Sequence, residues 1–280
     1  MLVTNGIIQE NTETFISHQN LALTHAHSII EELRVQQGAI LFWEAHYLKI
    51  MASMRMLRIS IPMNFTPDFL SDLILKTLSE NPSLEGNAMV TFQVYPSHNL
   101  SSKTEYHIWL QTLNKKTLTE IKSHYFEIGL YKDFFISKDT LSTLPTNNRL
   151  ISSLAAIFAH ENDLDACFIL NTDKEVIGTN LGCLFVVSEG EIHTSGLTSG
   201  TTDTVYRKNL IALIEKEASY KIIEGPISPF SLQKASSLFI LNVKDGIIPI
   251  SKYRKKEYDA SDLPLKLGLL LEAKTKEASV

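Results

Sequence analysis

The sequence predicts a mixed α/β (α+β) protein of two domains, a smaller N-terminal α/β domain over residues 1–115 and a larger C-terminal domain over residues 116–280. Three observations carry this expectation. Strand-like apolar runs and helical repeats alternate through the first part of the chain. A polar, weakly patterned stretch, TLNKKTLTEIK (Thr112–Lys122), follows and reads as a linker. Beyond it strands become more frequent, several of them continuous apolar runs of the kind found in buried sheet.

Met1–Gln9 reads as a short strand region with Asn5-Gly6 as a turn signal. Leu33–Phe42 (LRVQQGAILF) predicts a hairpin turning at Gln37-Gly38. Glu44–Leu57 places Tyr47, Leu48, Met51, Met54 and Leu57 at helical spacing, and Met51, Met54 and Met56 are expected to fill core. Pro67–Ser79 predicts a second helix, with Thr66 as N-cap and Pro67 in the first turn. Strands are expected at Ala88–Tyr95 and Tyr106–Thr112. In the second domain they are expected at Tyr125–Tyr131, Ala166–Leu170, Val176–Val187 and Ser237–Val243. Helices are expected at Asn148–Glu161, Val205–Ala218 and near Leu265–Lys276.

The segment before the first of these helices is LPTNNRL. Pro145 fixes its own φ and pushes Leu144 toward extended backbone. Thr146 or Asn147 is expected to cap the helix, and Leu150, Ile151, Leu154, Ile157 and Phe158 are expected to form its buried face. The local unit reads as strand, tight turn, buried helix and strand. Such a turn is suited to presenting one side chain to a site.

Composition excludes several classes. A hydrophobic fraction of 44%, a charged fraction of 20% and a net charge of −5 are those of a soluble globular protein with no pull toward nucleic acid. The basic run KYRKK (Lys252–Lys256) reads as a solvated loop. No run reaches the roughly 18 apolar residues that span a membrane. MLVTNGIIQE lacks the form of a signal peptide, so the cytoplasm is the expected location. Cys167 and Cys183 lie in apolar runs and read as reduced, buried thiols. His25, His27 and His46 have no carboxylate or cysteine at ligand spacing, so no metal is expected. No G-x-S-x-G elbow is present.

Five collinear segments carry a resemblance. NLALTHAHSIIEELRV (Asn20–Val35) sits where one family reads roughly N-R-G-x-x-Y-G-D-G-x-F-E-T-I-R-V. FWEAHYLKIMAS (Phe42–Ser53) resembles the H-x-x-R-L segment after it. The stretch from Leu144 to Val187 resembles the run from K-x-x-N-x-L to E-x-T-x-S-N-x-F. LTSGTTDTVYRKNLI resembles a glycine-containing phosphate loop and its helix, and SSLFILNVKDGIIPI resembles F-x-T-N-x-x-x-G-I-x-P-V. Over nearly its whole length the chain thus resembles the fold-type IV pyridoxal-phosphate enzymes, which include branched-chain and D-amino acid aminotransferases and aminodeoxychorismate lyases. The resemblance implies the D-amino acid aminotransferase-like fold, with a pseudo-barrel as its larger domain. It also implies pyridoxal phosphate as cofactor and a homodimer with its site near the domain and subunit interface. No membrane or nucleic-acid partner is implied.

The resemblance breaks at the positions that would meet the cofactor. Pyridoxal phosphate is held by an amine as a Schiff base, and the family's lysine falls on Pro145. The glutamate that protonates the ring nitrogen falls on Gly178, and the phosphate-binding arginine falls on Lys49. The glycine ahead of the phosphate helix falls on Thr204, and a phosphate-contacting threonine falls on Leu241. Leu21, Ala22, His25, Ala26, His27 and Ser28 replace the first motif's usual R, G, Y, G, D and G. Positions that match include Glu31, Arg34, His46, Asn148, Phe185, Gly200, Arg207, Asn242, Gly246 and Pro249, and many of them read as structural.

The expected remnant of a phosphate cup is Lys49, Val205, Tyr206 and Asn242. The expected pocket lining is His25, His27, Pro145, Gly178, Asn180 and Leu241, with no catalytic residue assigned. Three readings follow. The chain is an inactive or small-molecule-binding homologue without covalent cofactor, or with none. Alternatively it is a working aminotransferase or lyase using a displaced lysine such as Lys138 or Lys132. In the third, it binds a phosphorylated ligand non-covalently through Lys49.

Overall fold

The computed structural model describes residues 2–9, 17–97, 103–113, 126–216, 220–258 and 262–277. The chain forms two compact units. The first comprises Met1–Lys116, Pro145–Asn148 and Lys274–Val280, and the second Thr117–Leu144 and Arg149–Ala273. The expected linker Thr112–Lys122 lies, beyond Leu113, outside the described residues.

The first unit is built on β1 (Leu2–Thr4), β2 (Ile7–Gln9), α1 (Leu21–His25), β3 (Ile29–Gln36), β4 (Ala39–Ile40), α2 (Trp43–Met56), α3 (Pro67–Ser79), β5 (Ala88–Pro96) and β6 (Thr104–Gln111). Its sheet is antiparallel, in the order β2-β1-β6-β5-β3-β4. Both predicted turns form. Asn5-Gly6 (φ +49° and +86°) and Gln37-Gly38 (φ +53° and +79°) each put two successive residues at positive φ, the signature of tight hairpin turns that match strand twist. Asn5-Gly6 makes a hairpin of what reads as one short strand in the sequence.

α3 begins as expected, with Thr66 Oγ1 accepting from Phe69 N at 3.2 Å. α2 departs in its buried face. Trp43, His46, Ile50, Met51 and Met54 are buried, but Leu48 and Met56 are exposed. Met54 and Met56 are two helical steps apart, about 200° around the axis, so both cannot face the sheet. The core joins α2 and α3 to one sheet face through Ile29, Leu33, Ile50, Met54, Ile74, Val90, Phe92 and Ile108. Phe65 meets Tyr106 edge to face at 5.1 Å between centroids.

The second unit contains β7 (Glu127–Leu130), α4 (Leu150–Glu161), β8 (Ala166–Leu170), β9 (Val176–Thr179), β10 (Cys183–Ser188), β11 (Glu191–Thr194), α5 (Val205–Lys216), β12 (Lys221–Glu224), α6 (Pro229–Leu232), β13 (Ser237–Asn242), β14 (Gly246–Pro249), β15 (Lys252–Tyr253) and β16 (Lys256–Glu257). The last helix, α7 (Leu263–Glu277), runs through the end of this unit and its final residues count with the first. Two five-stranded sheets, β12-β11-β10-β13-β14 and β16-β15-β7-β8-β9, share one core through Ile128, Phe168, Leu184, Val186, Leu238, Ile240 and Ile248. This is the curled half-barrel of the predicted pseudo-barrel fold.

The expected single strand Val176–Val187 is two strands in different sheets. Thr179 makes the break: its Oγ1 accepts from Leu181 N at 3.1 Å and from Gly182 N at 3.0 Å. Side-chain competition for backbone donors ends the ladder there.

α4 corrects three expectations. It starts at Leu150, and its cap residue is Arg149, with no side-chain cap hydrogen bond. Thr146 Oγ1 instead accepts from Asn148 N at 3.3 Å, and the Asn147 side-chain amide donates to Ala22 O at 2.9 Å. Ala155 and Ala159 are the buried residues, Ile151, Leu154 and Phe158 pack against them, and Leu150 (64%) and Ile157 (53%) face outward. The element before Pro145 is a 3-10 turn, Leu141–Thr143, in place of the expected strand. Leu144 is extended (φ −84°, ψ 147°), as a residue before proline should be. No helix among the described residues is long and apolar enough to cross a membrane.

Candidate functional site

In the first unit, strand alternation places Glu31 on the same β3 face as Ile29, Leu33 and Val35, which are core residues. A carboxylate on a core face requires partners, because its desolvation is costly. α2 supplies two, His46 and Lys49, three residues apart and therefore on one side of the helix. His46 Nδ1 lies 2.7 Å from Glu31 Oε1, and Lys49 Nζ donates to Glu31 Oε2 at 2.7 Å. Glu31 and His46 are 2% and 1% exposed, and Lys49 is 12% exposed. Burial pushes the Glu31 carboxyl up, but the Lys49 charge and the His46 contact together hold it below its ordinary range. Both carboxylate oxygens are engaged.

Pro145 is buried beside this strand. Its carbonyl accepts from Ile30 N at 2.6 Å, and Thr146 bridges to Ile29. The predicted pocket histidines have separate local roles. His25 is exposed at the end of α1, where its Nδ1 is 2.7 Å from Thr24 Oγ1. His27 Nε2–H donates to the Leu57 carbonyl at 2.8 Å. Among the described residues no group of three His, Cys, Asp or Glu side chains could hold a metal.

In the second unit the remaining predicted residues are engaged in backbone structure. Gly178 pairs with Ile169 at a register shift and has φ +153°, and a Cβ there would stand 3.1 Å from the Gly182 carbonyl oxygen. Asn180 Oδ1 accepts from Cys167 N at 2.7 Å, and its backbone N–H donates to Cys167 O at 3.1 Å. Burial pushes the Cys167 thiol up to about 11. Leu241 is 1% exposed in β13 and pairs with Cys183. Asn242 Oδ1 accepts from Asp245 N at 2.6 Å and so closes the β13–β14 turn.

Val205 and Tyr206 open α5 and are buried. Ahead of them Thr204 caps the helix, its Oγ1 accepting from Arg207 N at 3.2 Å. The buried Arg207 donates from Nη2 to Ser195 O at 2.6 Å and pairs with Glu224. Gly200 (φ +89°) is required where it stands, because a Cβ would lie 2.7 Å from Ser137 O. Lys138 Nζ is 2.8 Å from Asp173 and 3.5 Å from Glu175, and the hydrogen bond it donates to Asp173 leads the influences that hold its pKa above the ordinary range.

Three features here escape a reading of the sequence: the Glu31–His46–Lys49 cluster, the Thr204 cap and the Arg207–Glu224 pair. Only the first leaves a trace there, as an acid in the apolar periodicity of β3 and two bases at helical spacing in α2.

The class IV aminotransferase family model matches residues 28–253. No curated protein sequence matches the chain. Solved structures do. A branched-chain aminotransferase from Thermoproteus uzoniensis with norvaline superposes with a TM-score of 0.87 at 16% identity, covering 100% of this chain and 98% of that one. A putative 4-amino-4-deoxychorismate lyase from Legionella pneumophila gives 0.81 at 18% identity, covering 95% and 98%. The branched-chain amino acid aminotransferase from Thermobaculum terrenum in its pyridoxal-phosphate (holo) form gives 0.82 at 19% identity, covering 99% and 93%. These likenesses establish the fold, and the family is one that depends on pyridoxal phosphate. With its model matched over most of the chain and its fold reproduced throughout, this protein belongs to the class IV aminotransferase family.

Proposed function

We propose that this chain retains the class IV scaffold but does not hold pyridoxal phosphate covalently, and serves as a small-molecule-binding homologue without transaminase or lyase turnover. The observation that carries the reading is Pro145. It stands where the resemblance puts the Schiff-base lysine, and its carbonyl is bonded to Ile30 N at 2.6 Å. Proline has no amine with which to form the linkage. The residues present do not fit the cofactor elsewhere either. Gly178 offers no acid for the ring nitrogen, and its positive φ disfavours any larger residue.

The displaced-lysine reading needs an amine that is neutral for part of the time. Lys49 is paired with buried Glu31, and Lys138 is paired with two carboxylates that favour its charged form. Neither is poised as a nucleophile. The test is to add pyridoxal phosphate to the pure protein, record the absorption spectrum and treat with borohydride. The expected outcome is no aldimine band and no lysine modified at one position. A band that reduction makes permanent on a single lysine would overturn the proposal, and peptide mapping would name the residue.

A further inference from the structure

The cluster on Glu31 points beyond the missing amine, to the phosphate. This inference rests on the reading above, since it concerns the same cofactor's positions. A guanidinium has five N–H donors in a planar fork, so one edge can meet a carboxylate while another meets a phosphate. An ammonium carries its three N–H donors on one nitrogen, so a phosphate can meet them only where that nitrogen stands. Lys49 has placed it 2.7 Å from Glu31 Oε2, and Glu31 is only 2% exposed. At that exposure bulk solvent does not replace a lost partner, so withdrawing Lys49 toward an anion would leave a buried carboxylate with His46 alone. A phosphate approaching Lys49 would also meet the negative charge of Glu31.

The second unit shows the same commitment independently. Thr204 brings its own oxygen to the first turn of α5, where it accepts from Arg207 N at 3.2 Å. Leu241, which stands where the resemblance puts a phosphate-contacting threonine, is an apolar core residue whose side chain has no donor. Asn242 Oδ1 is taken by Asp245 N.

We infer that Lys49 is a structural counter-ion of Glu31 and that this scaffold has lost its affinity for a phosphate monoester along with its amine. The ligand class that remains is unphosphorylated.

The experiment compares pyridoxine 5'-phosphate with pyridoxine by calorimetric titration. Neither has the aldehyde, so covalent attachment does not enter. For the natural protein the two are expected to bind alike, within about threefold. Lys49→Arg keeps the pair with Glu31 and restores a second edge, so it is expected to favour the phosphate ester by about fivefold or more. A preference of about tenfold for the ester in the natural protein would overturn the inference. So would a Lys49→Arg protein that folds, judged by its melting curve, yet shows no gain, because the ammonium head would then not be what excludes phosphate. A borohydride-fixed aldimine with no preference for the ester would sink the covalent proposal alone, and the reverse pattern would sink only this one.

Discussion

Glu31 shows how one residue can be structural where its surroundings suggest chemistry. It lies among Ile29, Leu33 and Val35 on a core face, yet it is kept charged by Lys49 and His46. Its folded carboxyl titrates below the ordinary 4.5, so it contributes stability at pH values above 4.5 that is lost as pH falls through the folded pKa. Glu31→Gln should therefore lower unfolding free energy at pH 7 by about 3 kcal/mol, since Lys49 loses its partner in a largely buried position. The deficit should shrink as pH is taken below 4.5, because the unfolded carboxyl then takes up a proton that the folded one does not until the pH passes its own lower pKa. Urea titrations of both proteins at pH 7 and at a pH about one unit below 4.5 would check this. A deficit that is constant across that range would mean that Glu31 acts through packing and not through charge.

Among elements, the β9–β10 connection constrains the chain most. Gly182 lies against the Leu241 carbonyl, so a Cβ there would collide with backbone that cannot rotate away. Gly178 has more room, with the Gly182 oxygen at 3.1 Å, but its φ of +153° strains any L side chain. Gly182→Ala is expected to be the more damaging, costing about 3 kcal/mol or more, and Gly178→Ala about 1–2 kcal/mol. Thermal melts rank them, and the reverse order would show that φ strain outweighs the collision. The same strain applies to a longer side chain, since Gly178→Glu means rebuilding the irregular pairing opposite Ile169.

For the molecule as a whole, the two units have separate cores, and their sensitivity to acid is expected to differ. His107 in β6 is buried, with Nδ1 at 3.1 Å from Thr4 Oγ1 and Nε2 against the Tyr95 hydroxyl. Burial lowers its pKa below 6.5, and the nearby Glu105 only partly offsets this. The unfolded chain therefore takes up a proton below pH 6.5 that the folded first unit refuses, and stability falls as pH falls. Glu31 adds to the loss below 4.5. Hydrogen exchange at about pH 5, corrected for intrinsic rate, should show faster opening of β5 and β6 than at pH 7, with β10 and β13 little changed. Equal acceleration in both units would place the acid-sensitive groups elsewhere.

Local signals are legible where the local physics is complete in a few residues. Asn5-Gly6 and Gln37-Gly38 carry their turns in their own φ preferences, and Thr66 with Pro67 carries its helix start. The family is legible as a collinear order of segments, among them core and turn stretches around Phe185, Gly200 and Arg207, where burial or close backbone approach limits what a position can hold. The face of α4 is not legible. Its apolar residues cover more of its circumference than its neighbours bury, and contact with β8 selects Ala155 and Ala159. Nor is the division of Val176–Val187, since its apolar run is nearly continuous and only the Thr179 hydroxyl, once folded, takes the two amides that end it. The residue types themselves are written in the chain, and they fix that neither Pro145 nor Gly178 offers a side-chain amine or acid. Whether Lys49 is free to meet a ligand depends on a carboxylate eighteen residues away in sequence, and that distance closes to a hydrogen bond only when α2 packs on β3.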